Sequence, residues 1–548
     1  MPTLYIMYPM ITDITVTVQP NKEKDFNFIK QEISKALRAK NIKTAPDGSD
    51  FTAVFVKKSI DARHNSVKLV LRYKVYIGEK PEDTQNSVPQ WKHADGTKKV
   101  IIIGSGPAGL FGAFTLLEQG IQPIIIERGS VTGQRRKDIA AISTKGTVDE
   151  DSNYCFGEGG AGTFSDGKLY TRSNKRGDIS SILRIFAHFG ADKKILTDAH
   201  PHIGTDKLPA IINAMNAKLK ELGAQLYFDT RCTDFITDVA CSTASITVKG
   251  VKTKNTKTGE EKEFMADAVL LATGHSATDI YEMIAKITPA ALEAKTFAVG
   301  VRVEHPRHII DEIQYHGKRD EHLGAAEYRL TSQQDGRGVY SFCMCPGGFV
   351  VPSATGPEEI VVNGMSAAGR NSQWSNAAIV VETRPEDIPA EFASPITPAL
   401  NGLVWRTYIE RNTFKCGNGQ QAPAQLMQDF IAKKMSPNLP KTSYTPGIVS
   451  RDLRECLPPQ ITERLASAFN YFNRSMKGFV CPEALLIASE TRTSTPVRIL
   501  RNKETGECTA IKNLYPAGEG AGYAGGIVSS AMDGVNECAM IIKNLHLR

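Results

Sequence analysis

Gly104, Gly106 and Gly109 form a GxGxxG spacing inside Lys98–Arg128, KKVIIIGSGPAGLFGAFTLLEQGIQPIIIER. Glycines so spaced suit one task, the holding of a pyrophosphate. The first allows a tight turn, the second lets backbone approach the phosphates, and the third lets helix and strand pack closely. Elements able to present that turn surround it. Val100–Ile103 is a β-branched run fit for a buried parallel strand. Pro107 falls near the first helical position, where its missing N–H costs nothing, and Gly120 sits where a helix C-cap would. Glu127 ends the next strand, near the ~20-residue spacing of a carboxylate that accepts from a ribose hydroxyl. A lone GxGxxG is weak evidence. Strand, helix, cap, second strand and acid in this order predict a dinucleotide site, and the acid favours NAD or FAD over NADP.

A second glycine-rich stretch, Leu514-YPAGEGAGYAGG-Ile527, separates those two dinucleotides. Gly518 and Glu519 close a strand, so the Glu519 carboxylate could accept from ribitol or pyrophosphate-adjacent hydroxyls. Gly525, Gly526 and Ile527 open a helix with Val528, Ala531, Met532, Val535, Ala539 and Ile542 on one face. Its positive end suits the electron-rich edge of a reduced flavin. Nucleotide-site fragments thus flank a long insertion, as the longer FAD requires.

These motifs, with Glu127-Arg128, the ATG of Ala272-Thr273-Gly274, and the strings FGEGGAGTFSDGKL at Phe156 and HIGTDKL at His202, resemble the FAD domain of the glutathione-reductase superfamily. The likeness is greatest to its uncharacterised FAD-dependent dehydrogenases, spans roughly residues 98–548, and implies a flavoprotein oxidoreductase without a defined substrate. It implies that Gly104, Gly106, Pro107, Ala108 and Gly109 lie against the pyrophosphate. Glu127 would bind the adenosine ribose, with Arg128 alongside the adenine. Gly160, Ala161, Gly162 and Thr163 would run past pyrophosphate and isoalloxazine. Cys232 or its backbone would sit near the adenine and Thr273-Gly274 near the AMP half, while Gly518, Glu519, Gly525, Gly526 and Ile527 complete the flavin half. The second GxGxxG of the disulfide reductases is absent from Thr230–Gly369, so no dedicated NADPH domain is expected; a nicotinamide nucleotide or other electron partner would visit transiently. Catalytic residues stay unassigned, with Lys168, His202, Asp206, His275 and Arg370 as candidates.

Composition narrows the class. The chain has 548 residues, 41% hydrophobic and 23% charged, with a net charge of +7 and no basic block, which argues against nucleic acid as partner. No apolar run approaches the ~18 residues of a membrane span, and Met1–Asp13 lacks secretory features, so the expected location is cytoplasmic. The ten cysteines form no CxxC, zinc spacing or iron–sulfur set. Cys343-Met344-Cys345 would place two thiols on one face of a strand, and small buried thiols in a core account for it. Competing classes are an RNA-modifying flavoprotein, disfavoured by 7% aromatic content, a membrane-peripheral quinone reductase, which would need a cysteine cluster, and a flavin-binding sensor or scaffold.

The expected fold is α/β. A Rossmann-like FAD-binding domain, a parallel sheet with helices, occupies 98–290 and 501–548. A mainly antiparallel α+β substrate domain over 291–500 interrupts it, and a small α+β module over 1–92 precedes it. In that module Ile11–Val18 reads as a strand, Asp25–Lys40 as a helix, and Phe51–Lys57 and Val67–Ile77 as strands, with a polar linker over Gly78–Lys99. Arg135–Thr147 reads as helical or loop-like, Lys207–Leu222 as a helix and Gln225–Phe235 as one strand. In the inserted domain, short strands including Val339–Cys345 and Ala377–Val381 precede helices at Gln425–Lys434 and Ile461–Met476.

Overall fold

The structure, a computed structural model, describes residues 10–42, 44, 49–64, 66–81, 87–171, 177–240, 245–317 and 319–546. Its centre is a five-stranded parallel sheet in the order Leu514–Pro516, Ala268–Leu271, Lys99–Ile103, Gln122–Ile126, Gln225–Tyr227. Lys99–Ile103 pairs with Gln122–Ile126 on one side and with Ala268–Leu271 on the other, so the strand order reverses there. In open α/β sheets, ligands sit outside the carboxyl ends of the strands at that point. Gly104 and Ala272 end those neighbouring strands.

The helix Pro107–Glu118 follows the first of these strands and is buried almost all round, as its unbroken apolar sequence demands. It packs against Ile527–His546, the helix that follows Leu514–Pro516. Glycine makes that contact close. A Cβ on Gly534 would lie 2.0 Å from the Ala108 carbonyl oxygen, and one on Gly112 would lie 2.8 Å from Cys538 Sγ. Both helices follow parallel strands, so both N-termini open at the carboxyl edge of the sheet.

Gln225–Phe235 is not one strand. Gln225–Tyr227 completes the parallel sheet, Asp229 turns the chain at φ +49°, and Thr230–Ala240 starts an antiparallel sheet with Ser245–Asn255 and Glu261–Met265. Strand propensity runs unbroken across that turn, which hides it in the sequence. Arg135–Thr147 falls in a regular helix, Thr132–Lys145, capped by left-handed Gly146.

The region after Leu292 forms a seven-stranded, mainly antiparallel sheet, ordered Thr331–Gln334, Arg337–Cys345, Trp374–Thr383, Phe297–Pro306, Leu485–Glu490, Ala422–Leu426, Ile448–Ser450. On its long strand, Phe297, Val299, Val301 and Val303 face an apolar core shared with Leu465, Phe469 and Phe472 of the helix Pro459–Ser475. Arg302 on the opposite face is also fully buried. Gln425–Lys434 is only partly helical: Ala422–Leu426 is a strand and Met427–Ala432 a short helix. The helix Asn401–Cys416 escapes the sequence pattern because its buried face includes Arg406, Glu410 and Thr413.

The N-terminal strands Met10–Val18, Phe51–Asp61 and Lys68–Ile77 form an antiparallel sheet against the helix Phe26–Ala39. Their core is not self-contained. Ile14, Val16, Ile33, Leu37 and Leu71 belong to one continuous apolar cluster with Val299, Tyr328 and Phe479. Phe51–Asp61 also exchanges backbone hydrogen bonds with the loop at Thr197–Ala199, through the Lys58 N–H and carbonyl. Residues 82–86 of the expected linker lie outside the described residues, and its described later part is docked: Trp91 lies 4.6 Å from Phe114 and 5.8 Å from Phe189 between ring centroids. Lys92, Ala94 and Asp95 donate N–H groups to Leu117, Leu222 and Gly120.

Candidate functional site

Three glycine turns that lie far apart in sequence meet at the carboxyl edge of the parallel sheet. Gly104 takes φ +104°, and a Cβ there would lie 2.4 Å from the Ala272 carbonyl oxygen; one on Gly109 would lie 2.1 Å from the Gly104 carbonyl oxygen. These two glycines are demanded by packing. Gly160 approaches the first turn so closely that its Cβ would lie 2.8 Å from Gly106 Cα, while Gly162 meets Ile527 and Pro107. Gly518 packs against Ala108. The structure therefore brings together Gly104–Gly109, Gly160–Gly162 and Gly518–Ile527.

Other glycines of the same set have open space where a side chain would go. A Cβ on Gly106 would find nothing nearer than 3.8 Å, and those on Gly274, Gly525 and Gly526 nothing within 4 Å. Left-handed backbone, φ +72° and +122°, accounts for Gly274 and Gly526, whereas neither packing nor φ accounts for Gly106 or Gly525. Open backbone at Gly106, beside the N-terminus of Pro107–Glu118, and at Gly525, beside that of Ile527–His546, suits an extended dinucleotide lying on backbone.

Glu127 is buried with every acceptor position used. Its Oε2 accepts from Ser105 N and Oγ, each at 2.9 Å, and its Oε1 from Gly129 N at 3.1 Å and Gly157 N at 2.9 Å. It clasps the first glycine turn to the Gly157 loop, so a ribose hydroxyl would have to share these oxygens. Arg128 is likewise committed, with Asp279 at 2.6 Å and its guanidinium 4.4 Å from the Phe156 ring centroid. The Cys232 thiol is buried in the apolar core between the sheets, and burial pushes it up to about 12. Only its backbone is left to approach an adenine. Thr163 Oγ1 donates to the Glu158 carbonyl, and Gly525 N donates to Ser529 Oγ.

Residues that give no motif signal hold the turns in place. Arg135 is fully buried, and its guanidinium donates at 2.8–3.0 Å to the carbonyls of Asn153, Tyr154, Glu158 and Gly160. This strut fixes the Phe156–Thr163 loop over the cradle. Asp533 accepts from Gly518 N at 2.7 Å and pairs with Arg501 at 2.7 Å, tying the Gly518 turn to the last helix. Asp533 lies off the apolar face of that helix, so the periodicity does not mark it.

Beside these turns lies a small pocket, lined by Ala161, Phe164, Ser165 and His275 of the parallel-sheet region and by Val351, Asn363 and Arg492 of the antiparallel region. Arg492 is saturated by Glu410 at 2.6 Å, Glu359 at 3.0 Å and Thr355 at 2.7 Å. It braces the wall and presents no free cation. His275 Nδ1 lies 3.8 Å from Glu519 Oε2. Burial, reinforced by Arg406 and Arg492, holds the imidazole neutral down to about pH 3, and burial raises the Glu519 carboxyl to about 7. Of the other candidates, His202 Nε2 contacts the Ala368 carbonyl at 3.2 Å and Asp206 accepts from Ala368 N at 2.7 Å. Arg370 bridges Asp166 at 2.8 Å and Glu327 at 2.6 Å. These three tether the two large regions to each other. Lys168 stands apart, beside Cys343 and Cys345.

An uncharacterized protein of Clostridium beijerinckii is 36% identical, with 96% of this chain and 97% of that protein covered. The chain belongs to the same family. The family model described as FAD binding domain matches residues 97–276, that described as FAD-dependent protein, C-terminal domain-like, matches 296–493, and a domain of unknown function matches 10–76. The protein is a flavoprotein, and its cofactor is FAD. Distant solved structures include the glycerol-3-phosphate dehydrogenase of Bacillus halodurans complexed with FAD, at 11% identity, 83% of this chain, 66% of that chain and a TM-score of 0.36. A flavoprotein/dehydrogenase of Cytophaga hutchinsonii follows at 9% identity, 82% and 79% coverage and a TM-score of 0.35. Among the described residues no helix is long and apolar enough to cross a membrane.

Proposed function

We propose that the protein is an oxidoreductase that transfers a hydride between FAD and a small organic substrate held in the cavity bounded by Ala161, Phe164, His275 and Asn363. The observation that supports this reading is the meeting of the Gly104–Gly109, Gly160–Gly162 and Gly518–Ile527 turns at the carboxyl edge of the parallel sheet, with Ala161 and His275 lining the adjoining pocket. FAD supplies the two-electron chemistry when bound; the chain's own groups position it and manage protons. Gly106 and Gly274 offer backbone to the AMP and pyrophosphate portion, and the N-terminus of Ile527–His546 offers its positive end to the flavin portion. Glu519 and His275 form the proton-handling pair. A carboxyl that titrates near 7 beside an imidazole kept neutral can take up or release a proton at physiological pH without leaving a second charge buried. The convergence of three glycine turns supports placement in the glutathione-reductase superfamily. The reductant is a nicotinamide nucleotide that binds transiently, and the working compartment is the cytoplasm.

The test is anaerobic. Purified protein is mixed with NADH or NADPH and the flavin absorbance band is followed, then reoxidation by oxygen or a quinone. Bleaching by either nucleotide and recovery on reoxidation are expected. A flavin that neither nucleotide reduces, and that accepts no electrons from a panel of small alcohols, amines and acids, refutes the reading.

A further inference from the structure

Cys343 and Cys345 lie on the strand Arg337–Cys345 where its pairing with Trp374–Thr383 slips between Phe342 and Cys345. At this bulge Cys343 takes φ +42°, a left-handed value that residues with a Cβ rarely adopt. The distortion gathers the two sulfurs. Lys168 Nζ, from the loop that follows the Gly160–Gly162 turn, stands 3.6 Å from Cys343 Sγ and 3.6 Å from Cys345 Sγ. A regular strand holds residues i and i+2 about 6.6–6.8 Å apart, the upper end of the Cα separation a disulfide spans, so a bent strand with converging sulfurs suits the bond better.

The surroundings differentiate the two thiols. Cys343 is part-exposed and Cys345 buried. The Cys345 thiol donates to the Cys343 carbonyl at 3.4 Å, and its interaction with the Cys343 side chain, with the Lys168 ammonium and the Arg302 guanidinium, holds Cys343 well below the ordinary thiol range and Cys345 well above it. Arg302 also donates to the Cys343 carbonyl at 2.8 Å. The opposing charges facing the pair are Asp166, 3.7 Å from Lys168 and bound to Arg370 and Ser366, Glu490, bound to Arg302, and Glu519, which burial keeps protonated up to about pH 7. Reactive cysteines sit in such electropositive, partly exposed places, and inert ones do not. A metal is not the explanation, since among the described residues no group of three or more His, Cys, Asp or Glu could hold one.

We propose that Cys343 and Cys345 form a thiol–disulfide exchange centre for small disulfides, with Lys168 as its positioning cation. The Cys343 thiolate attacks one sulfur of R–S–S–R; the substrate S–S bond breaks, a mixed disulfide forms and RS⁻ departs. Cys345 gives its proton to that RS⁻ and attacks Cys343 Sγ. The intramolecular disulfide closes and a second RS⁻ leaves, taking its proton from solvent. Two thiols of the protein are oxidised and one disulfide is reduced to two RSH, so electrons balance without any further oxidant. The inference is independent of the hydride reading and survives its failure.

The full-length flavoprotein is reduced, desalted and equilibrated with mixtures of reduced and oxidised glutathione, acid-quenched and alkylated. Mass spectrometry of tryptic peptide 338–370 then reports the state of both sulfurs. The expected result is a reversible switch between two alkylated thiols and none, governed by the glutathione ratio. Cys345→Ser should accumulate a glutathione mixed disulfide on Cys343. Lys168→Met should move the rate–pH profile of iodoacetamide alkylation of Cys343 upward by about one pH unit or more, a tenfold or greater slowing on the acid limb of that profile, where thiolate falls tenfold per unit of pKa. Two thiols that stay alkylatable at every ratio, or a Cys343 no faster than the buried cysteines, would overturn the proposal. The wild-type measurement decides it even where a variant fails to fold.

Discussion

Gly106 and Gly109 belong to the same motif, yet the structure assigns them opposite reasons for being glycine, and alanine at each separates the two. At Gly109 the new methyl would lie 2.1 Å from the Gly104 carbonyl oxygen, a backbone atom that cannot swing aside. Overpacking of this kind costs about 3 kcal/mol at the upper end of its range. Alanine in a helix interior returns about 1 kcal/mol relative to glycine, so Gly109→Ala should destabilise the flavin-free protein by about 2 kcal/mol. At Gly106 the nearest heavy atom is 3.8 Å away, and the backbone at φ −73°, ψ −176° is one any residue adopts. Gly106→Ala should therefore shift flavin-free stability by no more than about 0.5 kcal/mol. Its methyl instead occupies that open space, and a tenfold or greater loss of FAD affinity, about 1.4 kcal/mol, is expected. The assay pairs denaturant midpoints of flavin-stripped protein with FAD titration followed by flavin fluorescence. If Gly106→Ala destabilises the flavin-free chain as much as Gly109→Ala does, or binds FAD like the wild type, the division between packing glycines and cofactor glycines is wrong.

Three further outcomes follow from the geometry. Arg135→Met leaves four buried carbonyls without their donor, so a loss of at least about 3 kcal/mol is expected together with weakened FAD retention; a stable variant that keeps its flavin would show that the strut is dispensable. Burial raises the Glu519 carboxyl from 4.5 to about 7, so the folded chain keeps a proton that the unfolded chain gives up. The stability this provides is full below pH 4.5 and is lost as pH rises to about 7; the wild-type minus Glu519→Gln difference in denaturation midpoint should decline across that window and level off above it. A difference flat throughout would refute the assignment. Removal of residues 10–77 strips one side from the apolar cluster around Val299 and Phe479, so the truncated protein should aggregate, as light scattering would show; a soluble, yellow truncation would mean that the cluster's two parts are independent.

The sequence made the local parts of this site readable and left its long-range parts hidden. Val100–Glu127 could be read because strand, turn, helix and strand follow each other within one βαβ unit, where propensity and glycine placement act together. The Gly518–Ile527 turn could be read for the same reason. The struts could not. Arg135 lies in a polar stretch with nothing to announce four carbonyl partners, and the Arg501–Asp533 pair joins residues whose proximity only the fold creates. The helix Asn401–Cys416 shows how function and periodicity conflict: buried Arg406 and Glu410 interrupt the apolar face that would have revealed it. Glu127 was identified by position, but its double grip on Ser105 and on the Gly157 loop depends on a backbone brought in from thirty residues away.

The contact between Ala108 and Gly534 has a meaning for biosynthesis as well as for packing. The first helix of the cradle leaves the ribosome early, but its partner helix and the strand that completes the sheet are made only after the whole antiparallel region has emerged. Until then the apolar flank of Pro107–Glu118 has no cover and the Gly518–Ile527 turn does not exist. The nascent chain must therefore carry an open nucleotide half-site through most of its synthesis. Flavin capture waits on the Gly518–Ile527 turn, and a chain truncated before residue 514 is expected not to retain added FAD.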